Sequence, residues 1–148
     1  MLAGVPRFIR TKSGSSVQRF SETEDKIFCA GGSGASFVKN RNYELYLDEI
    51  KEAVDSILLY NDGLTIDDFI NDKKTRDATI RNFEIIGEAA NQLPDNIRKN
   101  YPDIPWRDLT DFRNVIIHEY FGINYRILWD IISNEIPLLK QKIEQYNL

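Results

Sequence analysis

From residue 41 onward, apolar side chains return every three or four positions, and nowhere do they alternate convincingly in twos. That periodicity constrains the chain more than any other feature. It lays an apolar stripe along one side of a helix and leaves a strand no face to bury. In "NYELYLDEIKEAVDSILLY", Tyr43, Tyr46, Leu47, Ile50, Val54, Ile57 and Leu58 share one stripe, and "NDG" at 61–63 ends it. "LTIDDFI" predicts a short helical turn with Thr65 as its N-cap. A second long helix is expected over about 74–93, with Ile80, Phe83, Ile86, Ala90 and Leu93 inward and Pro94 beyond it. A third is expected over about 106–120, closed by Gly122. A fourth is expected over about 124–146, with Ile127, Leu128, Ile131, Ile132, Leu138, Leu139 and Ile143 on its apolar side. Pro137 falls inside that helix and should kink it or shift its register. The expected fold is all-α: a bundle of four main helices plus short helical turns.

At 148 residues the chain supports one modest core. Its composition changes near residue 38. The first 38 residues hold five Gly and six Ser, with "SGSS" and "GGSGAS" as flexible punctuation, and they are slightly basic. Residues 1–38 are therefore read as a flexible or non-native extension, and 39–148 as the folded domain. Met1 is the only methionine, and Val38 stands just before the first periodic segment. Val38 is accordingly a candidate natural start, with the residues before it vector-derived. The competing reading is an arm that touches a partner.

The formal charge is −4, and it comes from residues 39–148. A general nucleic-acid binder is usually basic, so contact with RNA or DNA requires a local cluster of cations. Arg81, Arg107, Arg113 and Arg126 are the candidates, although their convergence cannot be read from the sequence. A single cysteine, Cys29, permits no intrachain disulfide. With one histidine, His118, it cannot supply a His/Cys zinc site within one chain. A reducing, cytoplasmic setting fits this usage. No apolar run approaches the ~20 residues that cross a bilayer, and the start lacks the apolar core of a secretory signal.

The chemistry concentrates in "RNVIIHEY" at 113–120. On a helix turning about 100° per residue, Asn114 and His118 are neighbours on one face, and Arg113 and Tyr120 share another. Arg113 and His118 diverge by about 140° in azimuth. His118 falls in the last turn, where the helix dipole favours a cation. Arginine offers a planar fork to phosphate oxygens, and histidine moves a proton near neutral pH. Together they suit phosphodiester chemistry in which the RNA 2′-hydroxyl is the nucleophile. That reaction wants a base and an acid, and one chain offers one imidazole. Two imidazoles would require two chains meeting at the site. In "IIGEAA", Gly87, Ala89 and Ala90 predict a close helix–helix contact, within the chain or across a dimer. Glu84 and Glu88 lie one turn apart; they either reach the motif arginine or face solvent.

"RNVIIHEY" resembles the R-x4-H-x-Y signature of the HEPN superfamily, and more closely its HepT-like branch. "RNYELYLDEIKEAV", "RDATIRNFEIIGEAANQLP", "YPDIPWRDLTDFRNVIIHEYFGINYRILWDII" and "IPLLKQKI" are similar to that branch in order and spacing, over residues 39–148. The resemblance implies a homodimeric helical bundle with a ribonuclease site at the dimer interface, using neither metal nor cofactor. Arg113 and His118 would be the catalytic pair and Asn114 a supporting residue, able to hydrogen-bond His118. Tyr120 would be the tyrosine that a nucleotidyltransferase antitoxin of the MNT type modifies with AMP. The implied partners are RNA, a second copy and that antitoxin, with no membrane. The alternative is a non-catalytic helical module that binds a nucleotide or a partner protein through Arg113. A third reading is a purely structural dimer subunit.

Overall fold

The structure, a computed structural model, describes residues 35–148, with side chains from Tyr43 onward apart from that of Tyr120. The expected extension lies outside the described residues over 1–34. The described residues form helices and turns, with no strand among them, so the all-α expectation holds.

Helix α1 runs Ala35–Asn61, longer at its start than the apolar stripe predicts. Its buried stripe is Leu47, Ile50, Ala53, Val54 and Ile57; periodicity marks where a helix is buried, and the backbone helix extends beyond that. Asp62 and Gly63 then turn the chain, Gly63 at φ 72°, where a side chain would be strained. Helix α2, Ile66–Asn71, opens on Thr65 with a complete capping box, its hydroxyl accepting from the Asp68 N–H and the Asp68 carboxylate accepting from the Thr65 N–H.

Helix α3, Lys73–Gln92, lies between α1 and α5 and packs along both. Thr79 is fully buried in it and receives a hydrogen bond from the Asn61 side chain, 3.0 Å, whose Nδ2 also donates to the Ile57 carbonyl at 2.7 Å. Short helix α4, Asp95–Asn100, returns Arg98 to the end of α3, where its guanidinium donates to the Leu93 and Asn91 carbonyls. Helix α5 is Trp106–His118.

The expected fourth helix is divided. Helix α6 spans Tyr125–Asp130, a π-helical turn spans Ile131–Glu135, and α7 spans Ile136–Gln145. Pro137 has no N–H and its ring crowds the turn before it. The chain responds as expected with a register shift: the Ile136 N–H reaches back five residues to the Ile131 carbonyl. Leu138 departs from expectation. It is 48 % exposed, whereas Leu139 is buried, because adjacent helical residues diverge by about 100° and only one of the pair can face the core.

Thr65 sits where its loss is easily read. Thr65→Ala should cost about 1 kcal/mol at neutral pH. The Asp68 carboxyl is held below its ordinary range, first by the Thr65 backbone N–H and then by the Thr65 hydroxyl. A folded-state pKa below the unfolded one stabilises above the unfolded value and is lost as pH falls through the folded one. The Asp68 N–H keeps its bond to the Thr65 hydroxyl in acid, so thermal melts of Thr65→Ala and the parent should differ most at neutral pH, and the gap should narrow in strong acid without closing.

Candidate functional site

Helix α5 begins on Trp106, whose indole N–H lies 3.0 Å from the Tyr101 carbonyl and 3.2 Å from that of Arg98. This pins the start of the helix to α4. Trp106, Phe112 and Ile116 are its buried side chains, and Phe112 meets Phe83 of α3 edge-on at 5.2 Å. That packing fixes the rotation of α5 and so decides where Arg113 and His118 project.

Arg113 projects across α3 at its smallest residue. A β-carbon on Gly87 would lie 2.1 Å from the Arg113 β-carbon and 2.8 Å from the Leu109 carbonyl oxygen. The close contact expected of "IIGEAA" is thus made within the chain, and the arginine stem fills the space a side chain at 87 would take. Beyond Gly87, the Arg113 Nη2 lies 2.7 Å from the Glu88 Oε2. The pair is ionic but lacks hydrogen-bond alignment, since that buried oxygen has no hydrogen-bond partner. The Arg113 Nη1 donates to the Asn114 Oδ1 at 3.0 Å. One hydrogen bond and one ionic contact therefore hold a guanidinium with five donors, and the side chain remains 30 % exposed.

Three expectations need correction. The hydrogen bond that Asn114 makes is to Arg113, not to His118: the flexible arginine folds back on its own helix. Helix α5 ends at His118, and Tyr120 lies beyond it in a 3₁₀ turn, Tyr120–Gly122. Glu119, at φ −114° and ψ 28°, breaks the helix, so two-turn periodicity no longer places Tyr120 over Arg113. For the same reason Gly122 does not close α5; Glu119 does. Of the two candidate acids, Glu88 reaches the arginine, whereas Glu84 pairs with Arg81 at 3.1 Å.

His118 occupies the last turn of α5 and is exposed, with no hydrogen bond or ion pair to its ring among the described residues. It is flanked by Ile117, 44 % exposed, and by Phe121, whose ring is fully exposed. Among the described residues of one chain, nothing links the imidazole to the guanidinium. A cleft between Val115 and Ile127, lined by neither Arg113 nor His118, holds little more than a water. The site is an open surface, suited to a polymer laid across it rather than to an enclosed small molecule. The four candidate cations do not form a free patch: Arg81, Arg107 and Arg113 are each paired with an acid, Arg107 with Asp111 at 3.8 Å. Among the described residues no helix is long and apolar enough to cross a membrane.

A helical bundle that carries R-x4-H at the end of its third long helix has the arrangement of a HEPN domain. Within that class the chain belongs to the Ribonuclease HepT-like family, whose model matches residues 50–146. It is similar to "Probable ribonuclease HepT" of Thermococcus cleftensis, 41% identical over 105 residues that cover 71% of this chain and 96% of that protein. It is also similar to "Putative RNase MJ0127" of Methanocaldococcus jannaschii, 40% identical over 105 residues, 71% of this chain and 87% of that one. No solved structure matches the chain.

Proposed function

We propose that this chain is an endoribonuclease toxin that cuts RNA through its own 2′-hydroxyl, with Arg113 and His118 as the catalytic residues. The observation that carries the reading is the presence on α5 of both a braced arginine and an exposed imidazole that makes no hydrogen bond or ion pair among the described residues, in a chain whose family is named for ribonuclease activity. Arg113 neutralises the phosphate and the charge that builds on its oxygens. A base removes the proton of the 2′-hydroxyl, whose oxygen bonds to phosphorus. The bond to the 5′-oxygen breaks, and an acid protonates that leaving group. The products are a 2′,3′-cyclic phosphate and a 5′-hydroxyl, and no metal is consumed or required.

Acid and base are both imidazoles when two copies of α5 face each other. The exposed Ile117 and Phe121 beside His118 support a second copy as the covering partner. Tyr120, two residues beyond His118, is the proposed site of nucleotidylation by an MNT-type antitoxin. An adenylate there adds bulk and negative charge next to the end of α5 that carries His118, which would oppose the substrate phosphate. An RNA substrate and a single cysteine fit a cytoplasmic setting.

The test is incubation of the purified protein with end-labelled RNA in excess EDTA. Cleaved products with cyclic phosphate ends are expected. Saturable RNA or nucleotide binding without cut ends would favour the non-catalytic module instead. A second arm co-expresses the chain with a nucleotidyltransferase antitoxin. Adenylate mass on the peptide holding Tyr120, absent in Tyr120→Phe, together with lost cleavage, is expected. An unmodified Tyr120 in an inactivated protein would remove this mode of control.

A further inference from the structure

Among the described arginines, Arg81, Arg98, Arg107 and Arg113 are answered by carboxylates: Glu84, Asp95, Asp111 and Glu88 in turn. Arg76 is different. Its guanidinium carbon lies 4.6 Å from the centre of the Tyr125 ring, and no carboxylate pairs with it among the described residues. Its Nε is buried and has no hydrogen-bond partner. The acids nearest along the chain are already engaged, Asp72 by the Thr75 N–H and hydroxyl and Asp77 by Lys73. Arg126 follows Tyr125, is exposed, and likewise has no ion pair among the described residues.

The dipole of α3 does not by itself favour this charge, and the acid at that helix end, the N-cap Asp72, is engaged by Thr75. Arg76 stands in the first turn of α3 with Lys73 and Lys74, and no acid occupies that turn. Cations at a helix N-terminus oppose the helix dipole. An acidic chain that leaves an arginine unpaired there, yet stacks it on an aromatic ring, has a pre-oriented donor without an acceptor. A guanidinium lying on a ring keeps its in-plane N–H edge for a phosphate, and stacking reduces the rotamer freedom lost on binding.

We propose that Arg76, stacked on Tyr125, and Arg126 form a second RNA contact that grips the backbone of a single strand away from the scissile phosphate. The proposal rests on RNA being the substrate. Tyr125 is seven residues past His118, which limits their separation to about 25 Å, a span that a short oligonucleotide bridges. Arg76 supplies a bidentate phosphate contact and Arg126 a second phosphate contact. Neither is base-specific, so the surface sets strand length and path rather than sequence.

The experiment measures binding apart from cutting. A fluorescent single-stranded RNA with every 2′-hydroxyl methylated cannot be cleaved by the proposed route. Its affinity for the full chain is followed across a salt series for the parent, Arg76→Gln, Arg126→Gln and the double variant. Each single change should weaken binding several-fold at low salt. The slope of log K against log salt should fall by about 0.7 for each phosphate no longer gripped. Arg126 is exposed, so Arg126→Gln carries the test even where Arg76→Gln disturbs the packing on Tyr125. Tyr125→Phe keeps the ring and should bind as the parent does, whereas Tyr125→Leu should resemble Arg76→Gln. Unchanged affinity and slope in Arg126→Gln and in a folded Arg76→Gln would overturn the proposal and assign the stacked pair to helix packing. Weakening confined to Arg76→Gln, accompanied by a lower melting temperature, would do the same. A parent that shows the expected slopes but never cuts ordinary RNA would refute the catalytic reading and leave this second grip standing. A parent that cuts RNA while the double variant binds like it would refute the second grip alone.

Discussion

His118→Ala is expected to reduce RNA cleavage by about 10²–10⁴-fold, the usual contribution of a general acid or base, while the melting curve stays that of the parent. The ring is exposed and makes no hydrogen bond or ion pair among the described residues, so its removal leaves nothing buried without a partner. Arg113→Ala should be equally inactive but not structurally silent. It strips the counter-charge from the Glu88 Oε2, which is buried, and opens space over Gly87. A modest drop in stability should accompany the absence of activity. The double variant Arg113→Ala with Glu88→Gln should recover stability without recovering cleavage. Kinetic assay beside calorimetry separates these effects. Undiminished cleavage by His118→Ala would remove the imidazole from the chemistry altogether.

The second large effect is steric. Gly87→Ala should destabilise the protein by about 1–3 kcal/mol, the range for overpacked cores, and depress cleavage in the fraction that folds. The added carbon meets the Arg113 β-carbon at 2.1 Å and the Leu109 carbonyl oxygen at 2.8 Å. Neither is the far end of a flexible chain, so α3 and α5 themselves must separate. Any separation moves the Arg113 guanidinium off the line that Glu88 and Asn114 define. Ordinarily alanine is the better helix former by about 1 kcal/mol, so a stabilised Gly87→Ala would show that the two helices do not approach this closely. Urea titration gives the sign directly.

The helices and their inward faces were legible because burial writes a period into the sequence. Leu47, Ile50, Val54 and Ile57 of α1, and Ile80, Phe83, Ile86 and Ala90 of α3, are buried as their spacing requires. The division of the last helix was foreshadowed by Pro137, whose missing donor is a local property. What periodicity could not supply was the fate of long polar side chains. Asn114 and His118 are correctly spaced for a hydrogen bond, yet the arginine next door takes the amide oxygen. Glu84 and Glu88 look alike in sequence, and only the crossing of α3 and α5 distinguishes them. The break at Glu119 carried no signal, since neither glycine nor proline stands there. Arg76 over Tyr125 joins residues 49 positions apart, which no local pattern reveals.

The amide of Asn61 and the hydroxyl of Thr79 have a bearing on uniqueness. The interface of α1 with α3 is otherwise built from aliphatic and aromatic groups, which tolerate sliding. A slip by one turn would break the bond between them, at about 1 kcal/mol, while the Asn61 amide kept its bond to the Ile57 carbonyl. The pair thus serves as an index mark that admits a single alignment of the two longest helices, and the thread of residues from Thr79 to Gly87 carries that alignment to the arginine.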